Sequence, residues 1–136
     1  MASIEEPKTL LESAYLAKGT IGHIGMPGAP LAYFSLVISP EQGKVSGIVE
    51  ITQVIDKPSI KVNVTGSIRT TAYGHVTKIV TIHGEYIVSV PPPAIGSYLE
   101  KFSAYVDIND EWNGTGGFSY GNQKIEEVPV TSVNEA

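Results

Sequence analysis

Strict alternation of apolar and polar residues marks the middle of the chain. The apolar or small positions of its first run are Ile60, Val62, Val64, Gly66, Ile68, Thr70 and Ala72. Because successive side chains of a strand point to opposite faces, this pattern predicts a β-strand with one buried face. The alternation stops at Tyr73-Gly74-His75 and then resumes as far as Val90. We therefore predict a β-hairpin over residues 60–90, with its turn at Gly74 and a bulge or bend at Gly84.

Similar reasoning extends to the flanking segments. Further strands are predicted over residues 31–39, 45–55, 102–109 and 112–120. The first is a nearly continuous apolar run between two prolines, which predicts burial on both faces. Residues 8–18 fit either a helix, from the flanking Pro7 and Gly19, or a strand; we favour the strand, because the sheet needs a closing partner. Three prolines precede residues 94–100, which we expect to form a short helical turn or an irregular connection.

These elements predict an all-β fold. Six or seven strands at hairpin spacing, without a convincing long helix, are typical of an antiparallel up-and-down meander. Strands this long must coil strongly in a small protein, so we expect a small closed or nearly closed β-barrel, with a two-sheet β-sandwich as the alternative. A chain of 136 residues corresponds to one such domain, and residues 1–8 and 129–136 are expected to be frayed ends.

Composition excludes several classes of function. Nine Lys and Arg against fourteen Asp and Glu give a net charge of −5, which argues against nucleic-acid binding and against attachment to anionic membranes. Zero cysteines exclude disulfides and thiolate metal sites. The sequence contains no apolar run of membrane-spanning length, and it does not begin with a secretory signal pattern. We therefore expect a cytoplasmic protein without membrane or nucleic-acid partners.

No motif predicts catalysis or a bound metal. No metal-ligand spacing fits the three histidines, which are His23, His75 and His83. Residues 107–111 begin like a calcium loop, but Trp112 and Phe118 stand where such a loop needs glycine and glutamate. A solvated turn is the better interpretation. We predict no catalytic residues, no metal site and no cofactor.

Five aromatic residues carry the one candidate site. They share the inward parity of their predicted strands, and they are Tyr86, Phe102, Trp112, Phe118 and Tyr120. An eight-stranded barrel is just wide enough for such side chains either to fill it or to line a small pocket. The pattern alone leaves both open: a filled core, or a cavity for a small apolar or aromatic ligand.

A family resemblance is carried by the segment Gly25-Met26-Pro27-Gly28-Ala29-Pro30, the apolar strand after it, Gly43-Lys44-Val45-Ser46-Gly47 and Ile51-Thr52-Gln53. Over residues 10–120 the chain resembles a family of small bacterial proteins known only as a domain of unknown function. The resemblance implies a bacterial origin and a β-rich fold, and it supplies no functional residues.

Three functional hypotheses follow. The favoured one is a non-catalytic binding or interaction module, either for a small apolar ligand or for self-association as a homo-oligomer. The second is an enzyme of cyclase or isomerase type working in a barrel cavity, which requires at least two titratable groups in a water-accessible space. The third is a structural protein that self-assembles.

Overall fold

Eight antiparallel strands close into a barrel in the computed structural model, which describes residues 14–26, 28–53, 58–71, 74, 76–90 and 92–133. The strands are β1 (Tyr15–Ile21), β2 (Leu31–Ser39), β3 (Lys44–Thr52), β4 (Ile60–Thr70), β5 (Lys78–Ser89), β6 (Ser97–Ile108), β7 (Gly114–Tyr120) and β8 (Gln123–Ser132). Each pairs with the next along the chain, and β8 pairs with β1. The predicted up-and-down barrel is therefore confirmed, and the sandwich alternative is wrong.

The central hairpin forms as its alternation predicts. Pairing of β4 with β5 runs from Asn63 opposite Glu85 to Thr70 opposite Lys78. Gly74 adopts a φ of 61° between the two strands. The pairing continues through Gly84 without a register shift, so the predicted bulge is not there. The register shift of the sheet lies instead between β7 and β8, at Gly116 and Phe118.

The barrel wall has one buried and one solvent-facing side, which corrects the prediction for residues 31–39. On β2 the inward side chains, such as Phe34 and Ile38, are buried. Tyr33 and Val37 point outward and remain 45% and 47% exposed. Burial on both faces is wrong because the outer surface of this strand has no second layer against it among the described residues, although its side chains are apolar.

Three further boundaries differ from the prediction. Residues 15–18 belong to β1, as the strand alternative requires, while residues 8–13 lie outside the described part of the chain. Residues 97–100 belong to β6, so the helical or irregular connection is wrong there. Trp112 lies in the β6–β7 turn with a φ of 65°, so β7 is shorter than the predicted strand.

The end of the chain also corrects the prediction. Residues 129–132, expected to be frayed, form the end of β8. Val130, Thr131 and Ser132 pair with β1 and close the barrel. The sequence did not predict this strand as a closing partner, because its polar positions hide the alternation of Val128 and Val130. Residues 1–8 and 134–136 lie outside the described residues.

The barrel has two ends with different connections. The β1–β2, β3–β4, β5–β6 and β7–β8 connections lie at one end, which we call the hairpin end. The other three connections lie at the opposite end, together with residues 14 and 133, and we call it the turn end. No helix in the described part of the chain has the length and apolar character needed to cross a lipid bilayer.

Close backbone approach allows the wall to coil tightly around its core. A Cβ added to Gly66 would fall against the Thr81 carbonyl and lie 2.8 Å from the Ile82 Cα on the neighbouring strand. Real Cβ atoms essentially never come within 3.0 Å of such atoms. Glycine at this inward position therefore permits a strand spacing that a side chain would prevent.

Candidate functional site

All five aromatic residues of the candidate site lie inside the barrel wall, and each is at least 91% buried. Four of them lie toward the hairpin end on neighbouring strands, where Phe102 is opposite Tyr120. The rings of Phe118 and Tyr120 stack with their centroids 6.0 Å apart. Trp112 is separate from this group and lies at the turn end.

Trp112 packs into the turn end of the barrel. Its ring lies 5.9 Å from that of Phe34 and 6.3 Å from that of Tyr15, measured between centroids. The indole Nε1–H donates a hydrogen bond of 3.2 Å to the Tyr15 hydroxyl. Trp112 thus closes one end of the core, and it does not share a space with the other four aromatic residues.

The middle of the barrel is tightly packed. A small void there has a volume of about 10 Å³, and its lining is Ile21, Phe34, Leu36, Val80, Ile82, Ala104, Tyr105 and Val106. A single water needs roughly 10–15 Å³ of such volume, and a drug-sized ligand needs several hundred. None of the five aromatic residues lines this void, so the choice between a filled core and a ligand cavity at those residues stays a prediction. The void itself offers no room for a ligand.

Two tyrosine hydroxyls form the polar edge of the core at the hairpin end. The Tyr120 hydroxyl donates to the Gln53 Oε1 at 3.4 Å. Burial raises the pKa of the Tyr86 hydroxyl, and the negative charge of Glu100 raises that pKa further. Burial also raises the pKa of Tyr120. Both hydroxyls therefore keep their protons to a higher pH than a free tyrosine does.

The polar groups at the turn end have structural partners. Asp110 Oδ1 accepts hydrogen bonds from the Thr77 hydroxyl at 2.8 Å and the Lys78 Nζ at 2.9 Å. The hydrogen bond from Lys78 is the main cause that lowers the pKa of Asp110. Asn109 Oδ1 accepts from the backbone N–H groups of Glu111 and Asn113. The acidic segment at residues 107–111, which begins like a calcium loop, is thus part of a hydrogen-bonded hairpin turn.

The histidines do not converge. His23 and His83 are both exposed, and His75 lies outside the described residues. Within the described ranges, no group of three or more His, Cys, Asp or Glu side chains could hold a metal ion.

The β5–β6 hairpin, the longest among the described residues, extends past the pairing of its two strands with β4 and β7. Pairing of β4 with β5 ends at Glu85, and pairing of β6 with β7 begins at Phe102. Pairing between β5 and β6, by contrast, continues to Ser89 opposite Ser97. Residues 86–90 and 92–101, which we call the ribbon, therefore form a two-stranded segment whose outer edges lack a paired strand among the described residues, while Tyr86 at its base belongs to the core.

The ribbon carries exposed apolar side chains. Ile87 and Leu99 lie directly opposite each other and are 70% and 60% exposed. Tyr98 on the other face is 51% exposed, and Ile95 near the tip is 99% exposed. Isolated exposed apolar residues are common, but here they cluster where two strands lack outer neighbours. This combination makes the ribbon the candidate functional site.

Sequence reasoning missed the ribbon, although a signal was present. Tyr98, Glu100 and Phe102 continue the parity of β6 backward from the core. The three prolines before residue 94 favoured an irregular connection, which concealed the early start of this strand. Only the extent of β5–β6 pairing reveals that the outer edges of this segment have no paired strand among the described residues.

Comparisons with known proteins identify the family and leave the activity open. No match was found among curated proteins. A family model described as a domain of unknown function, DUF1842, matches residues 12–125, which is most of the chain. This agrees with the resemblance seen in the sequence. The chain belongs to the DUF1842 family.

Proposed function

We propose that the protein is a non-catalytic interaction module that binds protein partners through the ribbon. The observation that carries this proposal is the combination of a tightly packed middle of the barrel with a hairpin whose outer edges have no paired strand among the described residues. Proteins that enclose ligands need interior space. A protein that binds a partner by adding the partner's strand to its own sheet needs an accessible sheet edge. The second feature is present here, and the central void is too small for the first.

The barrel-cavity enzyme receives less support. That hypothesis requires two titratable groups in a water-accessible interior, whereas the central void is lined by aliphatic and aromatic side chains. The described geometry therefore favours binding over catalysis.

A capture experiment with matched variants tests the proposal. The wild-type chain and an Ile87→Lys/Leu99→Lys variant would be immobilised and exposed to an extract of the cells that make the protein. The control is Val37→Lys/Ile48→Lys on the outer wall, where these two side chains are 47% and 50% exposed. We expect association that is lost with the ribbon variant and retained with the wall variant.

Two results would contradict the proposal. Equal capture by both variants would mean that the ribbon is not the binding surface. A thermal shift of several degrees in the wild-type chain with small apolar ligands would instead favour an interior site.

A further inference from the structure

We propose that the ribbon pairs with the ribbon of a second copy of the chain, edge to edge along β6. This inference rests on the proposed function and names its partner. A two-stranded ribbon is marginally stable alone, while three or more strands with an apolar face are stable. Pairing two ribbons creates a four-stranded sheet of the order β5–β6–β6–β5.

The free edge lies on β6. The Val90 N–H donates to the Gly96 carbonyl at 3.0 Å across the tip of the hairpin. Because backbone groups alternate in direction along an antiparallel ladder, those of Tyr98 and Glu100 point to β5 and those of Ser97 and Leu99 point away. Strand β7 ends at Tyr120, so no described strand lies beside them on that side.

The opposite edge of the ribbon is less suitable. A groove of about 720 Å³ separates the end of β5 from the start of β4, and its lining includes Pro58, Lys61 and Glu85. An incoming strand there meets the point where β4 and β5 rejoin at Asn63 and Glu85. The β6 edge is limited in the same way where pairing with β7 begins at Phe102, but residues 97–100 beside it contain neither proline nor lysine, the residues that commonly protect free edges, and Lys101 lies only at the junction.

A twofold register centred on Leu99 suits a second copy of the same chain. It places Leu99 opposite its own copy, Ser97 opposite Lys101, and Tyr98 opposite Glu100. No like charges face each other, and the Tyr98 hydroxyl comes within reach of the Glu100 carboxylate. On the other face, Ile87 lies opposite Leu99 within each chain, so four apolar side chains form one continuous row.

The size of the surface predicts a weak dimer. With about 200 Å² for a fully exposed large side chain, Ile87, Tyr98 and Leu99 offer roughly 350 Å² per chain. Two chains can then bury at most about 700 Å² of side-chain area, below the ~1,200 Å² of a standard stable interface. We therefore expect a dimer that forms at micromolar or higher concentration and dissociates on dilution.

A cysteine trap tests both the partner and the register. The chain contains no cysteine, so Leu99→Cys introduces a single thiol. In the proposed register the two Cα atoms at this position lie about 5.5 Å apart, within the range that a disulfide bridges. The control is Ile87→Cys, which is more exposed but lies three strand spacings, about 14 Å, from its own copy. Under mild oxidation we expect rapid covalent dimer from the first variant and little from the second.

Light scattering on the uncross-linked chain provides an independent readout. We expect the mass to rise toward twice 14.5 kDa as concentration increases. Leu99→Lys should weaken association at least about tenfold, while Val37→Lys should leave it unchanged. Circular dichroism and thermal melting confirm that each variant is folded.

Defined outcomes overturn the inference. A wild-type chain that stays monomeric to about 1 mM, or equal trapping of the two cysteine variants, excludes this pairing. A dimer disrupted by Val37→Lys and not by Leu99→Lys places the interface on the outer wall. If trapping fails while ribbon-dependent capture of another protein persists, the second copy is the wrong partner and the proposed function stands.

Discussion

Removal of the Phe102 ring provides the most direct test of the filled interior. Phe102 is 1% exposed and lies between Gly84 and Tyr120 on the neighbouring strands. Phe102→Ala removes an entire ring and leaves a cavity on the order of 100 Å³, which costs about 2.4 kcal/mol for the cavity alone. With the lost transfer free energy, we expect the free energy of unfolding to fall by about 3–5 kcal/mol.

Denaturant unfolding and thermal melting measure this loss. At about 4 °C per kcal/mol for a chain of this size, the midpoint should fall by roughly 12–20 °C. The new cavity should also bind benzene or indole, which would raise the melting temperature of the variant and not that of the wild type. Tyr33→Ala, at an exposed position on the outer wall, is the control and should cost less than about 1 kcal/mol.

Two results would refute the reasoning. A loss below about 1 kcal/mol in Phe102→Ala would mean that the ring does not fill a packed core. An equal response of the wild type and the variant to benzene would mean that the wild-type barrel already contains a ligand-sized space.

Three further predictions concern the wall and the ends of the barrel. Gly66→Ala should cost about 3 kcal/mol or more in denaturant unfolding, because its Cβ overlaps the backbone of the next strand. Stability should fall above pH 10, because the unfolded chain releases the tyrosine protons before the buried Tyr86 and Tyr120 do; Tyr86→Phe/Tyr120→Phe should flatten this fall in melting temperature. Tyr15→Phe should cost about 1 kcal/mol by leaving the Trp112 indole N–H without its acceptor, measured by the fluorescence of this single tryptophan.

Each of these predictions has its own control. For the glycine, Ser46→Ala on the exposed face of β3 should change the free energy of unfolding by less than about 0.5 kcal/mol. For the tyrosines, recovery of the original melting temperature on return to pH 8 excludes chemical damage, and an unchanged slope in the double variant would contradict the prediction. For Tyr15→Phe, an unchanged unfolding midpoint would show that the hydrogen bond contributes nothing to stability.

The sequence predicted the sheet better than its ends. Strict alternation over residues 60–70 identified both a strand and its buried face, because a strand buried on one side has an apolar residue at every second position. Closure by β8 was hidden, because Pro129 and several charged residues interrupt its apolar positions. The burial of β2 was misread for a related reason: Tyr33 and Val37 are apolar residues that the outer wall tolerates in contact with solvent.

The candidate site also has features that the sequence predicted and features that it did not predict. Parity placed Tyr86, Phe102, Phe118 and Tyr120 inside the barrel, because inward direction is a local property of a strand, whereas Trp112 reaches the core from the β6–β7 turn. Whether they fill the barrel depends on how eight strands pack around them, which no single strand encodes. The ribbon was not predicted, since its exposure depends on where β4 and β7 stop pairing with their neighbours.

The even number of strands has a consequence for attached groups. Because β1 runs toward the hairpin end and β8 runs back from it, residues 14 and 133 both lie at the opposite pole. A label attached at residue 14 or at residue 133 therefore lies at the pole opposite Leu99. In a pair joined by the two ribbons, such attachments would point away from each other and leave the shared sheet accessible to measurement.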